Sequence, residues 1–543
     1  MRAFLLGSLS ASLWLPAAAR AETYEIRAGE DLIGHLRALS AGDEVIVYDG
    51  TFDTGGFLEV TWSGTAAMPI VIRAADGARP TIRGVSSQNV INIDGSHFTL
   101  RGFEITGGSH GLRLGTVSSA TLEDLTIHGI GDVGISCNRP GTTCDRLVVR
   151  NNEIYDTGAG GGPGEGMYIG CNDAACVVSN SVFEGNYIHD IGGTQGDGIE
   201  IKTGSYGNVV RDNVIIGANY PAITLYGFAD GAGEPNLVER NFVWGTNDNG
   251  IQVVGQVVVR NNIVIDAGAN GIHSKASQGF YPHDVVILHN TVFNAGAACM
   301  KTNDWSGQSG QLIANNAFYC PSGLAVDING GAPSATLAGN VALGEVRSAG
   351  GGFAGGTAAG DLGDPAATPP VVYPPSGSPL IDAGDPAHAV AEDFNGTARS
   401  DGMPDVGAYE RTAETNPGWP LGMGFRTRPD APPPTDGGSS ELDAGSGGAD
   451  ASTRADAGRA LDAGPEPDGG AGAPAGGCGC RAAAGGDEPS LSSPCSRSWP
   501  RAGDVPELLE RLGRSAAEGS TVSRVPLFER DERPTAQGLD KCS

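Results

Sequence analysis

The stretch GEGMYIGCNDAACVVSNSVFEGNYIHDIGGTQGDGIEIKTGSYGNVVRDN, residues 164–213, contains one short pattern twice. An acidic residue, a glycine and then alternating apolar and polar residues occur as EGMYI (165–169) and again as DGIEI (197–201). Strict alternation over a few residues after a glycine is typical of a half-buried strand. The pattern predicts inward-pointing and solvent-facing sets, which are Met167, Ile169, Ile199 and Ile201 on the inside and Tyr168, Glu200 and Lys202 on the outside.

The same phrase recurs along the chain and indicates a repeat architecture. It starts again at Gly111, Gly134, Ala222, Gly250, Gly271, Ala297 and Gly323. An asparagine after each apolar run forms a second series, Asn152, Asn186, Asn213, Asn241, Asn262, Asn290, Asn316 and Asn340, with intervals of 21 to 34 residues. Repeats of this length are typical of solenoids. We therefore predict an all-β, right-handed parallel β-helix, with each asparagine in a left-handed bend between strands.

The ends of the chain predict a secreted solenoid with a long tail. Residues 1–21 have the basic start, apolar stretch and Ala19-Arg20-Ala21 end of a secretory signal peptide, so no transmembrane segment is expected in the mature chain. The helical spacing of DLIGHLRAL (31–39) predicts an N-terminal cap on a solenoid spanning 22–345. Residues 346–411 are a predicted closing segment, in which Asp393, Arg399 and Asp405 are interpreted as turn and salt-bridge residues.

The remaining segments are predicted to be disordered. Residues 412–477 are an acidic linker rich in Pro, Ala, Gly and Asp, which cannot bury enough apolar surface to fold. The GGCGC at 476–480 resembles a MYXO-CTERM-type sorting signal, but no apolar run follows it, so 478–543 is interpreted as a degenerate or frame-shifted tail. The resemblance implies cell-surface attachment in addition to secretion.

Composition limits the partners. The formal net charge of −29 argues against nucleic acid, whose phosphates require a basic surface. Glycine is abundant (86 of 543 residues), as expected for a narrow solenoid core with many turns. A monomer is expected.

Six cysteines fall in the predicted solenoid, where an oxidising compartment would let them pair. Pairing within the nearest couples is the simplest hypothesis, although sequence alone does not establish connectivity. The couples are Cys137 with Cys144, Cys171 with Cys176, and Cys299 with Cys320.

Outward positions of the recurring strand predict a reaction centre. Coils stack about 4.8 Å apart, so equivalent positions form columns on one face. Glu165, Asp197 and Glu200 are then expected to cluster beside Lys202 and Tyr226. Clustered carboxylates repel one another, and either Lys202 or a calcium ion bound by the three carboxylates would neutralise them.

This combination of carboxylates, a lysine and a tyrosine is suited to cleavage of an acidic polysaccharide by β-elimination. The reaction requires a cation to mask the sugar carboxylate, a base to remove the neighbouring proton and an acid to protonate the leaving oxygen. Lys202 is the candidate base, and Tyr226 or Tyr168 is the candidate acid. The next coils supply a candidate substrate-binding row, Lys275, Lys301 and His273.

The opening of the solenoid resembles the alginate lyase and chondroitinase B family of polysaccharide lyases. The resemblance is carried by Gly42-Asp43, Asp49-Gly50-Thr51-Phe52, Gly64-Thr65 and Pro69-Ile70, over roughly the first hundred residues. It implies the β-helix fold and, at the site, Glu200 as a calcium ligand and Lys202 as the base. No arginine stands one coil after Lys202, where that family carries one.

Two alternatives stay open. DGIEI (197–201) is similar to the Asn-Thr-Asp-Gly region of polygalacturonases, which hydrolyse with paired carboxylates, but the accompanying Asp-Asp, Gly-His-Gly and Arg-Ile-Lys motifs are absent from the sequence. A non-catalytic, glycan-binding surface or adhesion protein would also carry polar side chains and acid–lysine pairs on an exposed sheet.

Overall fold

The structure is a computed structural model, and it describes residues 21–368, 370–412 and 416. The predicted signal peptide apart from Ala21, almost all of the predicted linker and the whole sorting tail lie outside the described residues. The described chain is almost entirely β, with one α-helix, Leu32–Leu36, and two 3₁₀ helices, Ala359–Leu362 and Pro386–His388. None of its helices has the length and apolar character needed to cross a bilayer.

Parallel strands stack coil upon coil on three faces, so the predicted parallel β-helix is confirmed. Face A consists of Thr23–Ile26, Glu44–Val47, Ile70–Ala74, Phe98–Arg101, Thr121–Glu123, Val148–Arg150, Val182–Glu184, Val209–Arg211, Asn236–Glu239, Val257–Arg260, Val285–Leu288, Leu312–Ala314 and Thr336–Ala338. Face B consists of Thr51–Asp53, Thr81–Arg83, Glu104–Thr106, Thr126–His128, Glu153–Thr157, Tyr187–Ile191, Val214–Ile216, Phe242–Trp244, Ile263–Ile265, Thr291–Phe293, the start of Ala317–Ile328, Asn340–Arg347 and Phe353–Gly355.

Face C carries the recurring phrase. It consists of Glu59–Ser63, Ile91–Ser96, Leu112–Ser118, Ile135–Cys137, Met167–Ile169, Ile199–Ile201, Ile223–Leu225, Ile251–Val253, Asn270–Ser274, Ala298–Thr302 and the end of Ala317–Ile328. The short strands Thr143–Asp145 and Val177–Ser179 extend its early coils beside Leu112–Ser118.

The apolar positions of the phrase form the core, as predicted. Met167, Ile169, Ile199 and Ile201 are completely buried in one continuous apolar cluster. The glycine before them is required by close packing, because a Cβ on Gly166 would lie 2.6 Å from the carbonyl oxygen of Gly198 on the next coil. At Gly166 the chain therefore leaves no room for a side chain against the next coil.

The asparagine series has a different role from the predicted one. The left-handed residue is the one before each asparagine, for example Asp212 (φ 58°) before Asn213. Asn213 itself is buried and accepts from the Nδ2 of Asn186 (2.9 Å), while its own Nδ2 donates to the Oδ1 of Asn241 (2.9 Å). The prediction of positive φ at these asparagines is wrong. The Asn213 side chain is turned inward, where it accepts from the backbone N–H of Asn186 and donates to the carbonyl oxygen of Phe183, both on the preceding coil.

The two ends of the solenoid are covered by chain segments that pack on it. The predicted helix is present as Leu32–Leu36, capped by Asp31, whose carboxylate accepts from the backbone N–H of Gly34 (2.8 Å). Near the other end, the segment after Gly355 packs on face B, where Phe394 and Tyr409 join a second apolar cluster. The Arg399 side chain is buried there and donates to Glu410 (2.6 Å).

Two of the three expected disulfides are present, Cys171–Cys176 and Cys299–Cys320. The predicted Cys137–Cys144 bond is wrong: within the described chain both residues are free thiols. Both side chains belong to the apolar core, and Cys144 donates its thiol hydrogen to the carbonyl oxygen of Gly115 (3.5 Å). Burial and the neighbouring Cys144 thiol raise the pKa of Cys137, so the two residues are neighbouring thiols in the reduced state.

Candidate functional site

One column of outward positions runs along face C and aligns most of the predicted site. The strand register places the following residues opposite one another on successive coils: Tyr168, Glu200, Thr224, Gln252, His273, Lys301 and Asp327. The predicted column from Tyr168 to His273 is confirmed. The prediction that Lys301 belongs to the column of Lys202 is wrong, because the register places it opposite His273. The residues of the predicted site separate into a cluster around Lys202 and a second group around His273.

Lys202 is the centre of the first group. Its ammonium is ion-paired with the carboxylate of Glu200 and lies 4.4 Å from the ring centroid of Tyr168 and 5.0 Å from that of Tyr226. The Tyr226 hydroxyl is hydrogen-bonded to Glu200. The lysine is thus held by one carboxylate and two aromatic faces, an arrangement that stabilises a cation removed from water.

The carboxyl groups beside Lys202 are also removed from water. Asp197 accepts a hydrogen bond from the Thr224 hydroxyl (2.6 Å), and burial together with the nearby Glu200 raises its pKa well above the usual range. Glu165 has no exposed surface, and its carboxylate oxygens find no donor from another described residue. Burial raises the pKa of Glu165 to about 8, so this carboxyl keeps its proton at neutral pH.

Both tyrosine hydroxyls hold their protons tightly. Burial is the main cause, and the charge of Glu200 adds to it, so the pKa of Tyr168 and that of Tyr226 are raised. A phenol with a raised pKa stays protonated at neutral pH, so it is unsuited to act as a phenolate base, and it is also a weaker acid than a free tyrosine. This property does not favour the acid role predicted for the two residues, which stays a prediction.

The prediction that Glu200 and Lys202 face open solvent is wrong. Both lie on the outer side of the strands, yet they are only 4% and 3% exposed. A loop from a later coil lies alongside them: Gln278 hydrogen-bonds the Thr203 hydroxyl and donates to the side-chain oxygen of Asn172 (3.2 Å). These partners are 75 and 106 residues apart in the chain, so the local alternation pattern carries no signal for this coverage.

The second group contains the residues predicted to bind substrate. His273 lies opposite Lys301 in the strand register, and its Nε2 is hydrogen-bonded to the Oδ1 of Asn303 (2.8 Å). Burial lowers the pKa of His273, and Lys275 and Lys301 lower it further, so the ring is neutral near pH 7. His273 therefore differs from the cationic residue that the predicted row implied. Asn303 has no counterpart in the recurring pattern and was missed.

Calcium was expected at Glu165, Asp197 and Glu200. Across the described residues, no three His, Cys, Asp or Glu side chains are arranged to hold a metal ion. Glu200 is already paired with Lys202 and Asp197 with Thr224, whereas calcium requires six to eight oxygen ligands. The arrangement does not fit calcium, whose binding here stays a prediction without a ligand set.

Comparison with known proteins supports the architecture. The family model for the right-handed β-helix region matches residues 72–215 and 183–318. No curated protein sequence is significantly similar to the chain.

Several solved structures are similar at low identity. An alginate lyase from Paenibacillus sp. str. FPU-7 is 21% identical over 61% of this chain and 97% of its own, with a TM-score of 0.38. The pectate lyase Pel9A is 16% identical over 73% and 98%, with a TM-score of 0.48. The A-module of the Azotobacter vinelandii mannuronan C-5 epimerase AlgE4 is 14% identical over 58% and 89%, with a TM-score of 0.39. Similarity at this level assigns neither a reaction nor a substrate.

Proposed function

We propose that this protein is a secreted polysaccharide lyase that cleaves an acidic polysaccharide by β-elimination at the Lys202 cluster. The observation that carries the proposal is the juxtaposition of Lys202 with Glu200 and the two tyrosines on face C. It combines one group able to accept a proton with two groups able to donate one. The two disulfides support secretion, because such bonds persist in oxidising compartments.

In this proposal the Lys202–Glu200 pair provides the base. In the resting ion pair Lys202 is a cation. Burial raises the pKa of Glu200, which reduces the cost of moving the shared proton to that carboxyl, and the proposed reaction begins with this transfer. The amine removes the proton beside the sugar carboxylate, and the electron pair of that C–H bond becomes the new carbon–carbon double bond. The bond to the leaving glycosidic oxygen breaks, and Tyr226 or Tyr168 gives that oxygen its hydroxyl proton.

The proton balance closes within the cluster. After the reaction Lys202 carries the substrate proton and one tyrosine is a phenolate. The ammonium lies 4.4 Å from the ring centroid of Tyr168 and 5.0 Å from that of Tyr226, and return of its proton to the phenolate restores the starting state. No step passes through calcium.

The test is cleavage of alginate, pectate, glucuronan and chondroitin, followed by the ultraviolet absorbance of the unsaturated product. Lys202→Met should abolish the absorbance increase while circular dichroism stays unchanged. His283→Gln is the matched control, because His283 lies in the neighbouring loop and pairs with Asp284. Unchanged turnover in Lys202→Met would remove Lys202 from the mechanism, and new reducing ends without the absorbance would indicate hydrolysis.

A second candidate is a non-catalytic, glycan-binding surface protein. The burial of Lys202 favours it, because a side chain that is only 3% exposed offers little surface to a polymer. This candidate predicts binding of one of the four polysaccharides with no new reducing ends, and Lys202→Met should then leave the affinity unchanged.

A further inference from the structure

The group around His273 has hydrogen-bonding capacity that the described chain does not use. The Nδ2 of Asn270 donates to the Oδ1 of Asn249 (2.8 Å), but the Oδ1 of Asn270 is buried and receives no hydrogen bond from any described residue. Because the Nε2 of His273 donates to Asn303, its Nδ1 carries the lone pair. That nitrogen is also buried and has no partner in the described chain.

Buried acceptors without donors are costly, and two of them three residues apart on one strand indicate a ligand that supplies donors. Asn270 and His273 are 7% and 8% exposed and belong to the strand Asn270–Ser274. Both atoms accept hydrogen bonds, so the missing groups are donors such as hydroxyls.

A cation stands beside these acceptors. Lys301 lies opposite His273 on the next coil, and its ammonium is 3.8 Å from the carboxylate of Asp327, with 30% of the side chain exposed. Lys275 adds a second positive charge close enough to affect the His273 ring. One pairing partner for two lysines leaves positive charge available to an anionic group.

We propose that Asn270, His273 and Lys301 form a subsite for one carboxylated sugar residue. The sugar hydroxyls donate to the Nδ1 of His273 and the Oδ1 of Asn270, and the sugar carboxylate pairs with Lys301. The subsite lies three coils from Glu200, about 14 Å along the solenoid axis at ~4.8 Å per coil. It rests on the proposed function in taking the same polymer, and it adds that His273 is an acceptor and not a cation.

Comparing ligands that carry hydroxyls, a carboxylate or both distinguishes this subsite from a site that binds any anion. The Lys202→Met protein, which should not cleave the probes, is titrated with trisaccharides of glucuronate, galacturonate, mannuronate and guluronate. Glucose supplies hydroxyls alone and acetate supplies a carboxylate alone. At least one trisaccharide should shift the ¹⁵N resonance of His273 Nδ1, assigned by its loss in His273→Gln, whereas glucose and acetate should not. No shift with any trisaccharide, or an equal shift with acetate, would overturn the proposal.

Variants then measure each contact. His273→Gln places an amide donor near the Nε2 position toward Asn303 and removes the Nδ1 acceptor, so the Kd for the bound trisaccharide should rise about tenfold. Lys301→Met should weaken binding similarly, and His283→Gln should not change it. An unchanged Kd in both His273→Gln and Lys301→Met would refute the proposed subsite.

The two proposals fail separately. If the unmodified protein cleaves no polysaccharide but the trisaccharide binds with this variant pattern, the lyase reaction fails and the subsite stands. If cleavage proceeds and His273→Gln leaves KM unchanged, the subsite fails and the reaction stands.

Discussion

Replacing Glu165 by glutamine should make the protein more stable at alkaline pH. The Glu165 side chain has no exposed surface, and burial raises its pKa from 4.5 to about 8. Between these values the folded protein keeps a proton that the unfolded chain has lost. The free energy of unfolding contributed by this group is therefore fully present below about pH 4.5 and is lost as pH rises through about 8.

The expected gain in stability follows from the shift of the Glu165 pKa. Raising the pKa from 4.5 to about 8 is about 3.5 units, and at about 1.4 kcal/mol per unit the ionised form costs about 5 kcal/mol. Glutamine has the shape of the protonated acid and never ionises. Glu165→Gln should therefore match the unmodified protein near pH 4 and exceed it by up to about 5 kcal/mol at pH 9.

Urea denaturation at pH values from 4 to 9, followed by tryptophan fluorescence and circular dichroism, measures this difference. Glu184→Gln is the matched control, because Glu184 is partly exposed and paired with Arg211 on face A. The control should leave the pH dependence of the unfolding free energy unchanged. A Glu165→Gln protein that is less stable than the unmodified one at pH 9 would refute the reasoning, because Glu165 would then be a stabilised carboxylate.

Three further predictions concern calcium, the asparagine series and the disulfides. Adding calcium or a chelator should leave the melting temperature unchanged. A melting temperature that rises with calcium in the unmodified protein but not in Glu165→Gln would contradict this prediction and support the calcium site. Asn213→Leu should lower the unfolding free energy by at least about 3 kcal/mol, since it leaves several buried hydrogen-bonding partners unpaired. Asn247→Ala, on an exposed loop, should change the unfolding free energy little. Similar losses in both variants would argue that the hydrogen-bonded asparagine series does not stabilise the solenoid. Removing the Cys299–Cys320 disulfide, which closes a span of 21 residues, should lower the unfolding free energy by about 3 kcal/mol. Removing Cys171–Cys176, with a span of 5, should lower it by about 2 kcal/mol. The reverse order of the two losses in urea denaturation would contradict the loop-closure explanation.

The repeat in the sequence was sufficient to predict the solenoid and the column that carries the candidate site. Alternation with a period of two assigned Ile199 and Ile201 to the core, because successive side chains of a strand point to opposite sides. The recurrence of the phrase placed Glu200 and His273 on one face, because equivalent positions of a repeat stack on one another. Both inferences use interactions between near neighbours or successive coils, which leave a periodic signal.

Features that depend on distant segments or on the third dimension were decided by the tertiary structure alone. Lys202 is buried between the rings of Tyr168 and Tyr226, which belong to the preceding and the following coil. Thr203 beside it is hydrogen-bonded to Gln278, and no local pattern records a contact across that many residues. Cys137 and Cys144 are free thiols, although their spacing resembles that of the bonded pair Cys171–Cys176, and burial does not explain the difference, because the bonded pair Cys299–Cys320 lies in the same apolar core. Sequence periodicity thus determined which side of the strand each residue occupies, whereas burial, and with it the protonation of the candidate site, was determined by what the folded chain packs over it.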